Sequence, residues 1–301
     1  MSRLKAYFLS TRPQFLPGIA IPVAVGASVA WHDAAAFHAL NFIITLFAAL
    51  SYHAGMNVVN DYFDFRNGTD NINKNALTPF TGGSRFIQRG LISPSRTIGF
   101  GAVLILLGSI AGLYLVLKTS ALLLVIGAFG LFTGFFYTAP PLFLAARGLG
   151  ELIVGLDFGV LTVIGSYMVQ TRGGCSLNAL FTSLPVSFLI AALLYMNEFP
   201  DYEADRDAGK RNLVVRLGPS SARYGMVFLA ACTYLGVIAG VICGVMPRLS
   251  LISLLSAFVF VPGVCGLFKN HDNPRRLLPS IKSVIITHLL TGLLLIISNL
   301  F

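Results

Sequence analysis

The sequence has few charged residues: Asp, Glu, Lys and Arg make up only 11% of its 301 residues. A soluble domain usually carries about a quarter charged residues, so this composition excludes a soluble enzyme of one or two domains. Polar low-complexity tracts are also missing, and 55% of the residues are hydrophobic, which excludes a disordered chain. The remaining class is a polytopic membrane protein, and 24 Phe with 30 Gly suit closely packed transmembrane helices.

Cysteine is scarce as well, and its spacing excludes a zinc site or a disulfide framework. Cys175, Cys232, Cys243 and Cys265 form no CxxC pair and have no His at ligand spacing. Three of them lie inside apolar runs, where cysteine usually serves as a small buried apolar residue. The net charge of +9 does not indicate a nucleic-acid partner, because the basic residues are confined to short gaps between apolar runs. No feature points to a protein partner; the lipid bilayer is the expected surrounding.

Long apolar runs dominate what is present. Crossing the hydrocarbon core of a bilayer takes about 20 residues. Nine runs have roughly this length, and together they predict an all-α protein with nine transmembrane helices in one membrane-embedded domain, residues 1–301. The predicted spans cover residues 14–32, 39–59, 97–117, 119–138, 149–170, 177–199, 222–245, 249–268 and 280–300.

Basic residues are distributed unequally over the gaps between these runs. With the N-terminus inside, 18 of the 21 Lys and Arg residues lie in inner segments, and only Lys118, Arg172 and Arg248 lie outside. Such asymmetry predicts a multi-pass protein of the cell (cytoplasmic) membrane with its N-terminus inside. Of the 12 acids only Asp33 falls outside, and most of the others gather in two inner loops, 60–96 and 200–221. We therefore expect the active site to face the cytoplasm.

A short pattern occurs twice in the chain. Residues 60–65 read NDYFDF after the second span, and residues 197–202 read NEFPDY, 137 residues later, at the end of the sixth. Both follow the order Asn, acid, aromatic, any residue, Asp, aromatic. The repeat predicts two four-helix halves plus a ninth helix.

The polar residues of this pattern share helix faces. Asn60 and Asp64 are four residues apart, and Asn197, Asp201 and Asp205 continue the same spacing in the second copy. Acids at membrane depth are costly and usually functional. Carboxylate and amide oxygens suit Mg²⁺ better than zinc, and Mg²⁺ commonly bridges a few carboxylates to substrate phosphate. Two such faces across a gap predict a diphosphate bridged by Mg²⁺.

Basic side chains are interleaved with these acids, and guanidinium or ammonium groups neutralise phosphate oxygens well. Taken singly, each is equally explained as a positive charge that anchors the inner loops; Arg147 and Lys210 are the stronger candidates for a phosphate contact. His53 and Asp157 are two further polar residues within spans. His53 is predicted to make an interhelical hydrogen bond. Asp157, about 9 Å deeper along the helix than Glu151, either pairs with a basic or hydroxyl group or touches the acceptor substrate.

These motifs resemble those of a known family. NDYFDFRNGTD together with the later DYEAD is similar to the paired Asp-rich motifs of the UbiA-type intramembrane prenyltransferases. Within that family, TRPQFLPG, GGSRFIQRGLIS, FYTAPP, RGLGEL and NEFPDYEADRDAGKRNLVVRLG are most like the 1,4-dihydroxy-2-naphthoate prenyltransferases of menaquinone synthesis. The resemblance runs from Arg12 to about Gly218. Asp70 departs from the shorter superfamily pattern by lying six residues after Asp64 instead of four, a spacing shared with the quinone-type branch.

The resemblance implies nine helices around a central cavity and Mg²⁺-dependent transfer of a polyprenyl group from polyprenyl diphosphate to an aromatic acceptor. It also implies an aromatic face, such as that of Tyr137 or Tyr195, beside the allylic cation. The implied catalytic residues are Asp64, Asp201, Asp205, Arg147 and Lys210. The implied substrate-binding residues are Asn60, Asn197, Arg12, Arg89, Tyr137 and Arg211. The implied Mg²⁺ ligands are Asn60, Asp61, Asp64, Asp70, Asn197, Asp201 and Asp205.

Two other functions remain open at this point. The same mechanism would serve another aromatic or lipid acceptor. A secondary transporter is the alternative from a different class, because repeats with polar residues at broken helices are typical of carriers. Carriers usually place those residues near the membrane midplane, whereas the two motifs here lie at the inner edge.

Overall fold

Helices account for all regular secondary structure in the described part of the chain. The computed structural model describes residues 2–73 and 76–301, and the side chains of all of these except 70 and 71. A π-helical turn, Gly155–Leu161, joins α7 to α8. The helices are α1 (Arg3–Ser10), α2 (Pro17–Ala34), α3 (Ala39–Asn67), α4 (Thr69–Ile72), α5 (Pro94–Lys118), α6 (Leu122–Phe136), α7 (Gly150–Val154), α8 (Thr162–Thr171), α9 (Leu177–Asp207), α10 (Leu213–Leu217), α11 (Pro219–Ile242), α12 (Ala257–Asn270) and α13 (Leu278–Leu300), with 3₁₀ turns at Pro13–Phe15, Leu144–Arg147, Arg248–Ser256 and Pro274–Arg276.

Every predicted apolar run coincides with a helix, which confirms the all-α class. Among the described residues, seven helical stretches are long and apolar enough to cross a membrane. An eighth is reached if Arg3–Phe15 and Pro17–Ala34, which meet at a 54° bend, form one broken span. The remaining run, α6, has 15 residues and is shorter than a full crossing. The nine-helix count and the division into halves therefore stay predictions.

The two helices that carry the acidic motifs are longer than predicted. α3 continues to Asn67 and α9 to Asp207, whereas the apolar runs end at residues 59 and 199. Hydropathy detects only the apolar part of a helix, so it missed these polar extensions. Both motifs consequently lie on helix ends, as their four-residue spacing predicted, although the apolar runs stop before them, and α9 continues through Pro200 without ending.

α9 is the central helix and α5 is peripheral. Of the most apolar stretch of α9, 61% of the residues are buried, against 17% for α5. Leu189, Met196 and Phe199 of α9 pack with apolar residues of α11, α12 and α13 in the largest core cluster. Many large apolar side chains on the outer helices are exposed, as expected for a lipid-facing surface. Cys243 and Cys265 are exposed as well, contrary to the expectation that they are buried, because small apolar side chains are equally compatible with lipid.

The helices that surround the cavity approach each other closely at two glycine residues. A Cβ atom on Gly26 of α2 would lie 2.2 Å from the Val163 carbonyl oxygen of α8. A Cβ atom on Gly159, in the π-helical turn, would lie 2.3 Å from Ser187 Cα of α9. Neither position has room for a side chain, so these glycines set the spacing of the helices around the site.

Candidate active site

A cavity of about 430 Å³ lies between α2, α3, α6, the α7–α8 stretch and α9. Its two ends differ in chemistry. Acids and amides from the ends of α3 and α9 form one end, which we call the polar end. Apolar side chains such as Ile126, Leu131 and Leu193 line much of the remainder. The predicted residues on the cavity wall are Arg12, Asn60, Asp64, Tyr137, Asn197, Asp201, Asp205 and Lys210.

The repeated motif contributes equivalent side chains from both helices. Asn60 and Asp64 on α3 line the same cavity as Asn197 and Asp201 on α9. The Oδ1 atoms of Asn60 and Asn197 are both buried and have no hydrogen-bond partner among the described residues. A buried amide oxygen without a partner is costly, so two at equivalent positions indicate a ligand that binds between them.

Lys210 connects the two acidic sets. Its Nζ lies 2.9 Å from Asp64 Oδ1 and 3.6 Å from Asp205 Oδ1. Asn67 and Asn212 donate further hydrogen bonds to these carboxylates, at 3.3 Å to Asp64 Oδ1 and 2.9 Å to Asp205 Oδ2. The ammonium group places one positive charge where acids from opposite helices converge, which allows the carboxylates to approach each other.

Residues of the predicted inner loop 60–96 cover Asp201, a contact that the sequence did not predict. Asn73 Nδ2 donates to Asp201 Oδ1 at 2.7 Å, and the Gly82 backbone N–H donates to Asp201 Oδ2 at 3.3 Å. Arg85 Nη2 in turn donates to the Asn73 carbonyl oxygen at 2.7 Å. The motif GGSRFIQRGLIS, residues 82–93, covers part of this loop, whereas an isolated Asn such as Asn73 carries no sequence signal.

Asp61 contacts Arg12, which its place in the motif did not imply. Its buried carboxylate accepts a hydrogen bond from Arg12 Nη2 and two from the Ser84 backbone N–H, both at 3.3 Å, and it is absent from the cavity wall. Arg12 lies at the bend before α2 with a positive φ of 54°, an uncommon conformation that its side-chain contacts hold in place. In this structure Asp61 orients Arg12, and its role as an Mg²⁺ ligand stays a prediction.

Three other predicted residues, all arginines, lie around the mouth or outside the cavity. Arg147 is exposed and lines a second cavity of about 350 Å³, which shares Asp64, Tyr137 and Lys210 with the first. Arg89 and Arg211 are exposed and line neither cavity. Asp70 lies on α4, but its side chain is outside those described.

Of the two tyrosines proposed to face an allylic cation, only Tyr137 reaches the cavity. Tyr195 is buried in the core, where its hydroxyl donates to the Ala222 carbonyl oxygen at 2.7 Å. Tyr137 lines both cavities. Of the two tyrosines, only Tyr137 therefore supplies an aromatic face at the polar end.

His53 and Asp157 both line the cavity, away from its polar end. Asp157 Oδ2 accepts a hydrogen bond from Thr133 Oγ1 at 2.7 Å, so the predicted pairing with a hydroxyl group is present. His53 does not make the expected interhelical hydrogen bond through Nδ1, which is buried without a partner in the described part of the chain. Its ring instead packs edge-to-face on Phe158 with centroids 4.7 Å apart.

No three His, Cys, Asp or Glu residues within 2–73 and 76–301 converge closely enough to hold a metal ion on their own. The polar end instead combines separate carboxylates with amide oxygens and with Lys210. A metal bound here would need ligands from a substrate as well, which is the usual situation for Mg²⁺ at phosphate sites.

Comparisons with known proteins agree with this geometry. The chain is 27% identical over 290 residues to a 1,4-dihydroxy-2-naphthoate octaprenyltransferase of Bacillus subtilis, covering 96% of this chain and 90% of the relative. It is 28% identical over 294 residues to a 2-carboxy-1,4-naphthoquinone phytyltransferase of Synechocystis, and the match covers 97% of this chain and 92% of that relative. The solved structure of a UbiA homologue from Archaeoglobus fulgidus bound to DMAPP and Mg²⁺ matches this chain with a TM-score of 0.66 at 17% identity. The match covers 96% of this chain and 98% of the solved chain, so the two have the same fold.

The family assignment rests on most of the chain. The model of the UbiA prenyltransferase family matches residues 19–278, which include both acidic motifs and every helix of the cavity wall. This confirms the resemblance seen in the motifs and makes the chain an enzyme rather than a carrier. The chain belongs to the UbiA prenyltransferase family and is a membrane-embedded transferase of prenyl groups.

Proposed function

We propose that this enzyme transfers a polyprenyl group from its diphosphate to a ring carbon of an aromatic acceptor, and that the acceptor is 1,4-dihydroxy-2-naphthoate. The observation that carries the proposal is the division of the cavity into a polar end, which suits a diphosphate, and an apolar remainder, which suits an isoprenoid chain. The names of the two relatives support the acceptor, since one contains a naphthoate and the other a carboxy-naphthoquinone.

We propose Mg²⁺ as the cofactor. The unpartnered Oδ1 atoms of Asn60 and Asn197 fit this ion, because they are hard oxygen ligands beside carboxylates. When bound, Mg²⁺ supplies positive charge that stabilises the departing diphosphate. The related Archaeoglobus fulgidus structure, with DMAPP and Mg²⁺, supports this choice. The proposed ligands are Asn60, Asp64, Asn197, Asp201 and Asp205, with Asp70 as a further predicted ligand.

Two cationic side chains of the cavity wall bind the diphosphate in this proposal. Lys210 lies between Asp64 and Asp205, and Arg12 is oriented by Asp61. Both offer N–H donors in a site from which helices exclude most water, where such contacts are stronger than in solution. Because negative charge on the diphosphate grows as its bond to the prenyl group breaks, these contacts stabilise the transition state more than the bound substrate.

The bond changes follow from the substrates. The C1–O bond of the prenyl diphosphate breaks with its electron pair going to the diphosphate. The allylic cation lies near the face of Tyr137, and an electron pair of the acceptor ring forms the new carbon–carbon bond. With dihydroxynaphthoate, the ring carboxylate leaves as CO₂, and the electron pair of its bond restores the aromatic ring.

The exposed arginines have separate roles in this proposal. Arg147 binds anionic substrate groups in the second cavity before they reach Asp64. Arg211 is next to this mouth, since its backbone N–H donates to the Ala146 carbonyl oxygen at 2.9 Å. Arg89, outside both cavities, is better explained as positive charge that anchors the inner face.

We further propose that nine helices span the cell membrane, with the N-terminus and the polar end of the cavity at the cytoplasmic face. The 18-to-3 division of basic residues supports this orientation. Asp33, the only predicted outer acid, lies far from the cavity and accepts a hydrogen bond from Asn178 Nδ2 at 2.9 Å. α9 begins next to this residue and ends at the polar end of the cavity, as a spanning helix must.

The test is a transfer assay on purified protein in detergent with Mg²⁺, a prenyl diphosphate and a panel of aromatic and lipid acceptors, read by mass spectrometry. We expect a prenylated, decarboxylated product from dihydroxynaphthoate and diphosphate release without any ion gradient. A product formed only from another aromatic or a lipid acceptor would contradict the acceptor and leave the prenyl transfer intact.

A further inference from the structure

A carboxylate at the far part of the cavity has no task in prenyl transfer as described so far. Asp157 lines the cavity from the π-helical turn Gly155–Leu161. One of its oxygens, Oδ2, accepts the Thr133 hydroxyl at 2.7 Å. The other, Oδ1, is buried and has no partner among the described residues.

The local backbone fixes this carboxylate toward α6 and the cavity. A π-helical turn inserts an additional residue into the helix, and such turns are found frequently at functional sites. Here the turn is held from two sides, since the Thr162 hydroxyl donates to the Asp157 carbonyl oxygen at 2.7 Å and Gly159 packs directly on Ser187 of α9. The position of Asp157 is therefore set by its own helix and by α9.

His53 adds a second polar group to the same region. It lines the cavity from α3, packs on Phe158, the neighbour of Asp157, and has a buried Nδ1 without a partner in the described part of the chain. An isoprenoid chain offers no hydrogen bond to either group, so its presence here would leave both unsatisfied. This part of the cavity therefore suits an occupant that carries a polar group, beside the apolar side chains that suit the isoprenoid chain.

We propose that Asp157 Oδ1 accepts a hydrogen bond from a ring hydroxyl of the aromatic acceptor and so determines which acceptors bind. This inference rests on the proposed function. Asp157 lies six residues beyond Glu151, about 9 Å along the helix at 1.5 Å per residue, and the start of α7 lies beside Tyr137 at the polar end. An acceptor held between the two regions has one edge at the prenyl C1 atom and its hydroxyl at Asp157.

The hydrogen bond also assists the reaction. A phenolic hydroxyl that donates to a carboxylate gains electron density on its oxygen, and that density is shared with the ring. The ring carbon that forms the new bond becomes a better nucleophile, and the ring is held in one orientation. The carboxylate therefore positions the acceptor and selects for a free hydroxyl.

The experiment compares an acceptor that has the free hydroxyl with its methyl ether, which keeps electron donation and lacks the donor hydrogen. Asp157→Leu removes the accepting oxygen, and Asp157→Asn keeps an amide oxygen in nearly the same shape. The quantity compared is the ratio of kcat/KM for the free hydroxyl to kcat/KM for the methyl ether. We expect this ratio to be about 10- to 100-fold higher in the wild type than in Asp157→Leu, which is the effect of one hydrogen bond to a charged group. Asp157→Asn should be intermediate, and KM for the prenyl diphosphate should not change.

Asp33→Asn is the matched control, because it alters a carboxylate far from the cavity that is bonded to Ser176 and Asn178. It should keep the wild-type preference. If Asp157→Leu folds poorly, Asp157→Asn alone decides the question. Wild-type preference in a folded Asp157 variant overturns this inference and leaves the proposed function in place. Failure of the wild type to prenylate any aromatic acceptor overturns both.

Discussion

At the scale of single residues, the two motif asparagines are the most informative feature of the site. Hydrogen-bond partners satisfy most buried polar atoms in a folded protein, yet Asn60 Oδ1 and Asn197 Oδ1 have none in the described chain. Each unsatisfied atom costs about 1–3 kcal/mol of stability. Such a cost is maintained at functional sites, where a bound ligand removes it.

Removing one carboxylate from either motif should reduce the rate strongly. Asp64→Asn and Asp201→Asn each take a negative charge from the Mg²⁺ and diphosphate site, and we expect each to lower kcat by about 10²–10³-fold, as for comparable electrostatic contacts. Folding should persist, since neither side chain is part of an apolar core. Diphosphate release over time is the measurement, with Asp33→Asn as the control.

The double variant distinguishes one shared site from two separate ones. Both carboxylates act on the same transition state, so Asp64→Asn with Asp201→Asn should lose less than the product of the single losses. If the acids were solvated loop charges, both single variants would keep near-full activity that does not depend on Mg²⁺. That result would contradict the metal site and the transfer mechanism built on it.

Asp61 should behave differently from Asp64, although both belong to one motif. Asp61→Asn weakens the contact that orients Arg12, so we expect KM for the prenyl diphosphate to rise by about tenfold or more. The Mg²⁺ concentration that gives half-maximal rate should stay unchanged, whereas Asp64→Asn should increase it. Initial rates measured over a range of Mg²⁺ concentrations distinguish the two variants. An equal increase in the half-maximal Mg²⁺ concentration in both would indicate that Asp61 is also a metal ligand.

At the scale of elements, the site is built from two rigid helix ends and one loop that covers them. α3 and α9 extend past their apolar stretches and carry the acids on one face each. Asn73, Gly82 and Ser84 cover these helix ends, with donors to Asp201 and Asp61. Rigid helices hold the charged groups at fixed spacing, and the loop supplies backbone N–H groups that no side-chain pattern reveals.

Two glycines of this region allow a controlled test of the loop. Gly82 and Gly90 both have positive φ, at 72° and 67°, so alanine strains the backbone equally at both. A Cβ atom on Gly82 would lie 2.4 Å from Ala76 Cβ, whereas Gly90 has open space around it. We expect Gly82→Ala to displace the N–H donor of Asp201 and to lower kcat by about tenfold.

Gly90→Ala should keep wild-type activity in the same assay, with the melting temperature measured for both variants. Equal losses of activity in the two would show that backbone strain, and not the contact with Asp201, is responsible.

At the scale of the whole molecule, orientation in the membrane decides which compartment supplies the substrates. Cys175 is exposed next to Ser176, which hydrogen-bonds Asp33 far from the cavity, while Asp207 is exposed at the end of α9 beside the active site. These two positions should therefore lie on opposite faces of the membrane.

An impermeant thiol reagent tests this arrangement on intact cells. A variant that keeps only Cys175 should be labelled from outside. A variant with no native cysteine and Asp207→Cys should be labelled only after the membrane is permeabilised. Labelling of Asp207→Cys in intact cells would reverse the predicted topology and place the active site at the outer face.

Much of the fold and part of the site could be predicted from the sequence. Helices follow from apolar runs, and Asn60, Asp64, Asn197, Asp201 and Asp205 follow from a repeated spacing, because helical periodicity is a local property. Arg89 and Arg211 line neither cavity, since a basic residue near a motif in sequence need not point to it in space, and their substrate contacts stay predictions. Asn73 and Asn212, which hold Asp201 and Asp205, belong to no repeated pattern.

By itself, the sequence determined that this protein is a helical membrane protein and which polar helix faces carry its chemistry, since hydropathy and spacing act within one helix. Only the tertiary structure decided the partners of those faces. Lys210 reaches Asp64 across 146 residues of chain and Asn73 reaches Asp201 across 128. It also turned Asp61 toward Arg12 and left the buried Oδ1 atom of Asp157 without a partner among the described residues. Such contacts depend on how separate helices pack against each other, and no local pattern encodes them.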